Sequence, residues 1–463
     1  MKKITASAFL ILNSCLSFSQ EQIPGSGEKG GEYPILKNGA DHPCITPEQY
    51  VIMKKQIADN CERLGIQNGD QKGMMITPLE WPLRTANGLN DCSYYVIVNY
   101  VDQDPTAGIK DYNCGSSTYN GHNGDDILTY PFTFYKMDND QVEVIASAPG
   151  TIIAKVDGNF DKNCAQNNLN YNYIAVQHAD GSQALYIHLK KNSLTAKTIG
   201  QTVTTGEYLG QVGSSGNSTS PHLHFEILNP TLYEPYSGPC NVLNPTSWWA
   251  NQKPYTEPAV VRVQVNKIAP VYPGCPGTET PNDDSCFTSP GTADFYIFIR
   301  NETIGLIGNM RIVNPNGSTF SSWTHNSVNN YFGSSWYWTR TLPTIQGTYT
   351  YEAVYNGDTC RKTFKINCVP TGLDPGAGLG KVDVFPNPCD DLIHITGSDM
   401  TNGSYDCTIK NILGQELLSD HFEIENGSLQ KDLTIRTLPD GIYFLAIGNG
   451  ENETVRKIVK RHQ

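Results

Sequence analysis

Charge is scarce in this 463-residue chain: Asp, Glu, Lys and Arg together make up 17% of it. Basic residues are scarcest, 33 against 46 acidic ones, for a net charge of −13. That balance excludes nucleic acid as the natural partner, because phosphate binding needs a basic footprint. No run of 18 or more apolar residues occurs, so no helix is expected to span a membrane. No CxxC pair occurs either, which removes the usual cysteine zinc site. No repeat relates one part of the chain to another. In place of these stand 42 Gly, 28 Pro and 25 Tyr, with many Asn and Thr. Such a composition favours short strands and turns over helices, and the length calls for several domains.

The first residues read as an export signal. Lys2 and Lys3 precede a short apolar stretch, Ile4 to Leu12, and Ser17 and Ser19 are small residues suited to cleavage before Gln20. Residues 1–19 are therefore expected to be a signal peptide. A lipoprotein signal ending at Leu12-Asn13-Ser14-Cys15 is the alternative. Loss of Cys15 leaves an even number of the 13 cysteines in an exported protein, which points to disulfides. The pairs expected from proximity along the chain are Cys275 with Cys286, Cys360 with Cys368, and Cys389 with Cys407.

Residues 20–84 form an N-terminal segment, a possible pro-region that restrains the domain after it. Its first part, 20–41, is Gly-rich and reads as a flexible lead. The spacing predicts one helix over 46–64, with Thr46 as cap, Pro47 in the first turn, and Tyr50, Met53, Ile57 and Cys61 on one face. Residues 85–258 are a β domain of short apolar runs separated by Gly, Asn and Pro. Tyr171–Gln177 and Gln183–Leu189 make a hairpin through Ala179-Asp180-Gly181. Residues 259–368 read as a β-sandwich, 369–380 as a Pro/Gly linker, and 381–463 as a further small β unit.

Chemistry concentrates in the 85–258 domain. The stretch Ser220-Pro221-His222-Leu223-His224-Phe225-Glu226 reads as a strand, so His222 and His224 project to one side and Leu223, Phe225 and Ile227 to the other. In Leu185-Tyr186-Ile187-His188-Leu189 the same alternation sets Ala184, Tyr186 and His188 on one face. That face is expected to be the polar one, with Leu185, Ile187 and Leu189 in the core. Upstream lies Gly121-His122-Asn123-Gly124-Asp125-Asp126. Zinc needs three protein ligands in a catalytic site; His122, one of the two aspartates and one of the paired histidines meet that count. The remaining histidines are then available for acid–base work and oxyanion stabilisation. Glu226 shares the histidine face and either orients a ligand or stands exposed. His178 is expected to be structural, and His42, His325, His394, His421 and His462 to lie at the surface. Trp248, Trp249 and Trp336 are expected in the core.

These motifs, in this order, resemble the lysostaphin-type (LytM-like) zinc endopeptidases over about residues 85–230. GHNGDD is similar to that family's HxxxD motif and YIHL to its YAHL-type segment. The run from Gly210 to Glu226 is similar to its glycine-turn-then-HLHF signature. The resemblance implies that His122, Asp126 and His224 hold one Zn2+ per peptidase domain and that His188 and His222 are catalytic. Asp125 is a weaker alternative to Asp126. Separately, VDVFPNP at 382–388, Gly414, LPDGIYF at 438–444 and KIVK at 457–460 resemble the type A sorting domain of the type IX secretion system.

The fold class expected is mostly β: a LytM-like antiparallel β-sheet peptidase domain, then a β-sandwich module and a small β-sandwich sorting domain. The function implied is that of a secreted zinc metallo-endopeptidase at the outer cell surface, using a zinc-activated water on peptidoglycan peptides or cross-bridges. The type IX secretion machinery is the partner implied. Gly-rich or other extracellular proteins are the alternative substrate, and a non-catalytic wall-binding scaffold is the alternative of another class.

Overall fold

The chain enters the structure as a strand where a loose lead was expected. β1 (Glu28–Glu32) pairs antiparallel with residues 334–338, so the flexible reading of 20–41 fails for these residues. Close approach explains the glycine at its centre. A Cβ on Gly30 would fall 2.1 Å from the Ser335 carbonyl oxygen. The computed structural model describes residues 27–34, 44–66, 77–86, 88–229, 231–274, 278–368, 381–412, 414–449 and 453–461. The expected signal peptide, the 369–380 linker, Cys15, His42, Cys275 and His462 lie outside the described residues.

The predicted helix is α1 (Pro47–Leu64). The Thr46 side chain accepts from the Gln49 N–H while the Gln49 side chain accepts from the Thr46 N–H, a reciprocal cap that satisfies two otherwise orphaned donors. Gly65 closes the helix in the left-handed conformation, φ 67°. Met53, Ile57 and Cys61 recur every fourth residue and are buried.

Beyond it come β2 (Leu83–Thr85), β3 (Tyr95–Asn99), β4 (Asp125–Thr129), α2 (Thr133–Asp138), β5 (Val142–Ile145), β6 (Gly150–Val156), β7 (Tyr173–Gln177), β8 (Gln183–Ile187), β9 (Thr202–Val203), β10 (Tyr208–Gln211), β11 (His222–Leu228) and β12 (Leu232–Tyr233). One sheet runs β3-β4-β11-β8-β7-β6-β9, with β12 beside β11, and a second runs β10-β5-β2. Val144 and Leu209 of the small sheet share a core with Tyr186, Leu223 and Phe225 of the large one. The other face of the large sheet is covered by α1, whose Met53, Ile57 and Cys61 pack with Ile153, Tyr173, Leu185 and Ile187. Burying side chains such as Met53 and Ile57 contributes about 1.5–3 kcal/mol each.

The next ten strands are β13 (Ala259–Asn266), β14 (Val271–Gly274), β15 (Thr278–Thr280), β16 (Cys286–Phe287), β17 (Thr292–Glu302), β18 (Ile307–Val313), β19 (Thr319–Asn326), β20 (Tyr331–Thr341), β21 (Gly347–Tyr355) and β22 (Asp358–Ile366). Sheet β1-β20-β17-β13 stacks on sheet β16-β22-β21-β18-β19 over a core that includes Trp336, Trp338, Tyr351 and Phe364. Tyr33, Tyr130, Phe132, Val261 and Phe298 form a further core that joins this sandwich to the large sheet. The chain divides into two compact units at Asn367/Cys368. The second holds β23 (Lys381–Phe385), β24 (Leu392–Ser398), β25 (Gly403–Asn411), β26 (Glu416–Ile424), β27 (Leu429–Thr434), β28 (Gly441–Gly448) and β29 (Glu453–Lys460) in sheets β23-β24-β27 and β26-β25-β28-β29 around their own core. No helix among the described residues is long and apolar enough to cross a membrane.

Two disulfides join segments far apart in the chain. Cys360 joins Cys92, 268 residues away, in place of Cys368. Cys92 is brought there because its N–H donates to the Val261 carbonyl on β13. Cys114 joins Cys240. Cys164, Cys286 and Cys368 are also in disulfides. Cys389 and Cys407 keep their thiols, so the expected bond between them is absent. For Cys360 the sequence neighbour was the wrong guide, because the strand beside it comes from a distant segment.

Candidate metal centre

Strand register gathers the predicted residues. His224 on β11 lies directly opposite Asp126 on β4 and Ile187 on β8. Directly opposed residues share a face, so Asp126 stands beside His224. Asp125 is opposite Phe225 and points to the other side. It is buried with neither carboxyl oxygen paired in the protein, and burial raises its pKa well above the carboxylate range. Register thus selects Asp126 over Asp125.

His122 arrives on the loop before β4. Gly124 lets that loop close in, since a Cβ there would meet His224 Nε2 at 2.6 Å and the Phe225 carbonyl at 2.8 Å. His122 Nε2 is 3.2 Å from His224 Nδ1 and 3.3 Å from Asp126 Oδ1, and His224 Nδ1 is 3.0 Å from the same oxygen. Bonds of ~2.0–2.2 Å in a tetrahedron set donor atoms about 3.3–3.6 Å apart. The three donors, 3.0–3.3 Å apart, stand at or just inside that spacing. His122 Nδ1 donates to the Tyr100 carbonyl at 2.8 Å, which leaves Nε2 bare toward the other two. Asn99 donates to Asp126 Oδ2 at 2.8 Å and thereby aims Oδ1 at the histidines.

His188 reaches the same place by a route that alternation does not allow. Ala184 and Tyr186 belong to the main core with Phe225, while Leu185 and Ile187 lie on the α1 side. Regular strand geometry would send His188 after Tyr186, away from His224. A left-handed backbone at His188, φ 66°, turns its ring back. It ends 4.6 Å from the His222 ring, centroid to centroid. The expected faces of β8 were thus inverted, and the site is rescued by one residue of unusual backbone.

The His188 and His222 rings are held alike. His188 Nδ1 donates to the Ser215 carbonyl at 2.6 Å and His222 Nδ1 to the Ser220 carbonyl at 2.7 Å. Carbonyls only accept, so each Nδ1 carries a proton. Both Nε2 atoms are buried without a hydrogen-bond partner, as is Nε2 of His224, and His222 Nε2 lies 3.4 Å from Asp126 Oδ1. Glu226 is buried, takes a hydrogen bond from Tyr50 of α1, and lies 3.8 Å from His224 Nε2. It is not an exposed strand carboxylate.

Charge follows the same layout. Burial opposes protonation of His122, but the Asp126 carboxylate overrides it and lifts the pKa to about 9. Burial likewise opposes protonation of His222, and Asp126 lifts it to about 10. Burial pushes Asp126 up, yet the His122 and His222 charges hold it well below the carboxylate range. His188 is pushed down by burial. An anion ringed by imidazoles is a cation site waiting to exchange its protons for a metal.

The structure keeps His178 structural: its Nδ1 meets the Pro149 carbonyl at 2.8 Å. Trp248, Trp249 and Trp336 are core residues. His394 and His421 are exposed. His325 is not a surface residue; it is fully buried between Glu28 and Glu302. Two contributors escaped the sequence reading, Asn99 and Cys44. Asn99 carries no motif. Cys44, two residues before the helix cap, was counted only as a prospective disulfide partner, and its sulfur lies inside the histidine cluster.

Residues 135–235 match the model of peptidase family M23, and residues 383–461 match that of the secretion system C-terminal sorting domain. The first match takes in His188, His222 and His224 and begins after His122 and Asp126. An uncharacterized metalloprotease of Haemophilus influenzae is 28% identical over 197 residues, 42% of this chain and 37% of that protein. The peptidoglycan DD-endopeptidase ShyC of Vibrio cholerae is 30% identical over 137 residues, 28% of this chain and 30% of that protein. The DD-carboxypeptidase/endopeptidase Mpg of Neisseria meningitidis is 46% identical over 55 residues, 12% of each. The chain spans about a third of the length of the first two relatives.

Proposed function

For a chain that carries a peptidase family M23 domain and a C-terminal secretion sorting domain, we propose the function of a secreted zinc metallo-endopeptidase that cleaves peptide bonds of peptidoglycan. The relatives named as peptidoglycan endopeptidases support the substrate. The sorting domain supports export to the outer cell surface by type IX secretion. The chemistry rests on one observation above others. Three donors 3.0–3.3 Å from one another stand beside two buried imidazoles whose Nε2 atoms have no hydrogen-bond partner.

In this proposal His122, Asp126 and His224 hold zinc. Bound there, zinc supplies Lewis acidity to the reaction. His188, kept neutral by burial, accepts the proton of the attacking water at Nε2 and passes it to the leaving amine. His222, protonated at Nε2, donates to the carbonyl oxygen as negative charge grows on it. Carbonyl anchors on both Nδ1 atoms fix the rings, so little reorganisation is needed during the reaction.

The test is dye release from labelled peptidoglycan by the purified protein with α1 displaced, with and without a chelator. Chelation is expected to abolish release. Release that survives complete metal removal overturns the zinc assignment. His188→Ala is expected to keep the metal and lose turnover by about 10²–10⁴-fold; unchanged turnover overturns its role.

A further inference from the structure

The five site residues are all buried, none more than 4% exposed. A peptide cannot reach them in this state. Among the described residues, Cys44, just ahead of α1, lies against them. Cys44 Sγ falls with the donors of His122, Asp126 and His224 in one group whose atoms all lie within 4.8 Å of one another. It falls with His188 and His222 in a second such group. Cys44 is the residue common to both. Its sulfur therefore stands between the proposed ligands and the proposed acid–base pair, where a reacting peptide bond would have to lie.

This placement is built and not incidental. The Cys44 N–H donates to the Tyr119 hydroxyl at 3.2 Å, and its sulfur lies 2.6 Å from the same oxygen. Tyr119 in turn packs against the His122 ring at 4.3 Å. Two residues on, the Thr46 cap starts α1, which is anchored by Tyr50 on Glu226 and by Met53, Ile57 and Cys61 on the sheet. A capped and docked helix thus presents the thiol. The buried Nε2 of His188 beside it, which has no hydrogen-bond partner, is an independent sign that this pocket is made for a ligand. Thiolate is a strong zinc donor, and zinc sites with four protein ligands are closed, whereas catalytic sites keep one position open.

We propose that Cys44 is a fourth protein ligand to the metal, and that the 44–64 segment thereby holds the peptidase shut until it is displaced. This rests on the zinc reading given above. The step is a ligand exchange without redox change: the thiol proton goes to solvent when sulfur binds, and water takes the vacated position when sulfur leaves.

Cobalt(II) loaded into the full-length chain tests this without relying on activity. One equivalent is expected to bind and to show a near-ultraviolet sulfur-to-cobalt charge-transfer band. Cys44→Ser, close in shape, and Cys44→Ala should both keep the cobalt and lose the band. Cys61→Ala, on α1, should keep both. With cobalt bound, absence of the band in the unaltered chain, or its survival in both Cys44 variants, overturns the Cys44 assignment while leaving the three-ligand site standing. Failure of the unaltered chain to bind cobalt overturns both. Full-length Cys44→Ser is also expected to release dye from peptidoglycan several-fold faster than the unaltered chain; an equal rate overturns the restraint.

Discussion

Two places in this molecule take histidine and carboxylate out of water together, and they do opposite things with them. In the sandwich, His325 lies between Glu28 of β1 and Glu302 of β17, with both ring nitrogens in contact with carboxylates. Trp336 Nε1 donates to the other Glu302 oxygen at 2.8 Å. In the peptidase half, the Nδ1 atoms of His122, His188 and His222 are tied to carbonyls, yet the Nε2 atoms of His188, His222 and His224 are buried without a hydrogen-bond partner. Buried polar groups are normally satisfied. His325 in the sandwich obeys that rule, with both ring nitrogens paired, and fastens β1. The peptidase site breaks it repeatedly within one cluster, and what is left over is coordination and proton-transfer capacity. Burial of a histidine is thus uninformative until the partners of both nitrogens are counted.

The sharpest way to break this comparison is to remove one histidine from each place. His224→Ala is expected to abolish cobalt or zinc binding and, with it, peptide hydrolysis, while the sandwich stays folded. His325→Ala should leave metal stoichiometry untouched. It should instead destabilise the fold by about 3–5 kcal/mol, because two carboxylates lose their buried counter-charge. Metal analysis and thermal unfolding of the two variants, side by side, decide the matter; metal loss in the His325 variant would erase the distinction.

A somewhat smaller effect is expected from pH. Burial opposes the charge on His325, but Glu28 and Glu302 raise its pKa to about 9 from an ordinary value of 6.5. A raised folded-state pKa stabilises fully below the unfolded value and less as pH climbs through the folded one. The sandwich is therefore expected to lose about 3 kcal/mol between pH 6.5 and pH 9 through this group. His325→Gln should flatten that slope, and an unchanged slope would show that the triad does not fasten β1.

Asn99→Leu offers the finest distinction. It removes the donor to Asp126 Oδ2 without touching a proposed ligand, and metal affinity is expected to fall about 10–100-fold with the fold intact. An affinity equal to that of the unaltered chain would mean that Asp126 needs no orientation.

Much of the peptidase site was legible because its parts are short and local. The two-residue spacing of His222 and His224 puts both on one face of β11, and the four-residue spacing of His122 and Asp126 spans one loop. The helix was legible from Thr46, Pro47 and Gly65. Other features were not. His188 violates strand alternation through a single left-handed residue, which no pattern of apolar residues announces. β1 looked like a lead because Glu-Lys-Gly-Gly-Glu has no strand signature; β20 and the His325 ion pairs supply the reason for it to be one. Cys44 looked like half of a disulfide because its role depends on what lies near it in space.

By itself, the sequence determined the helix periodicity, the order of the motifs and the candidate residues His122, Asp126, His188, His222 and His224. These come from covalent geometry acting over a few residues. Tertiary structure alone decided which aspartate faces the histidines, which way His188 turns, that Cys92 reaches Cys360, that His325 is sealed between two carboxylates, and that Cys44 fills the centre of the site. Each of those depends on strand register or packing between segments tens to hundreds of residues apart. There the free energy of the assembled sheet, and no local preference, chooses the partner.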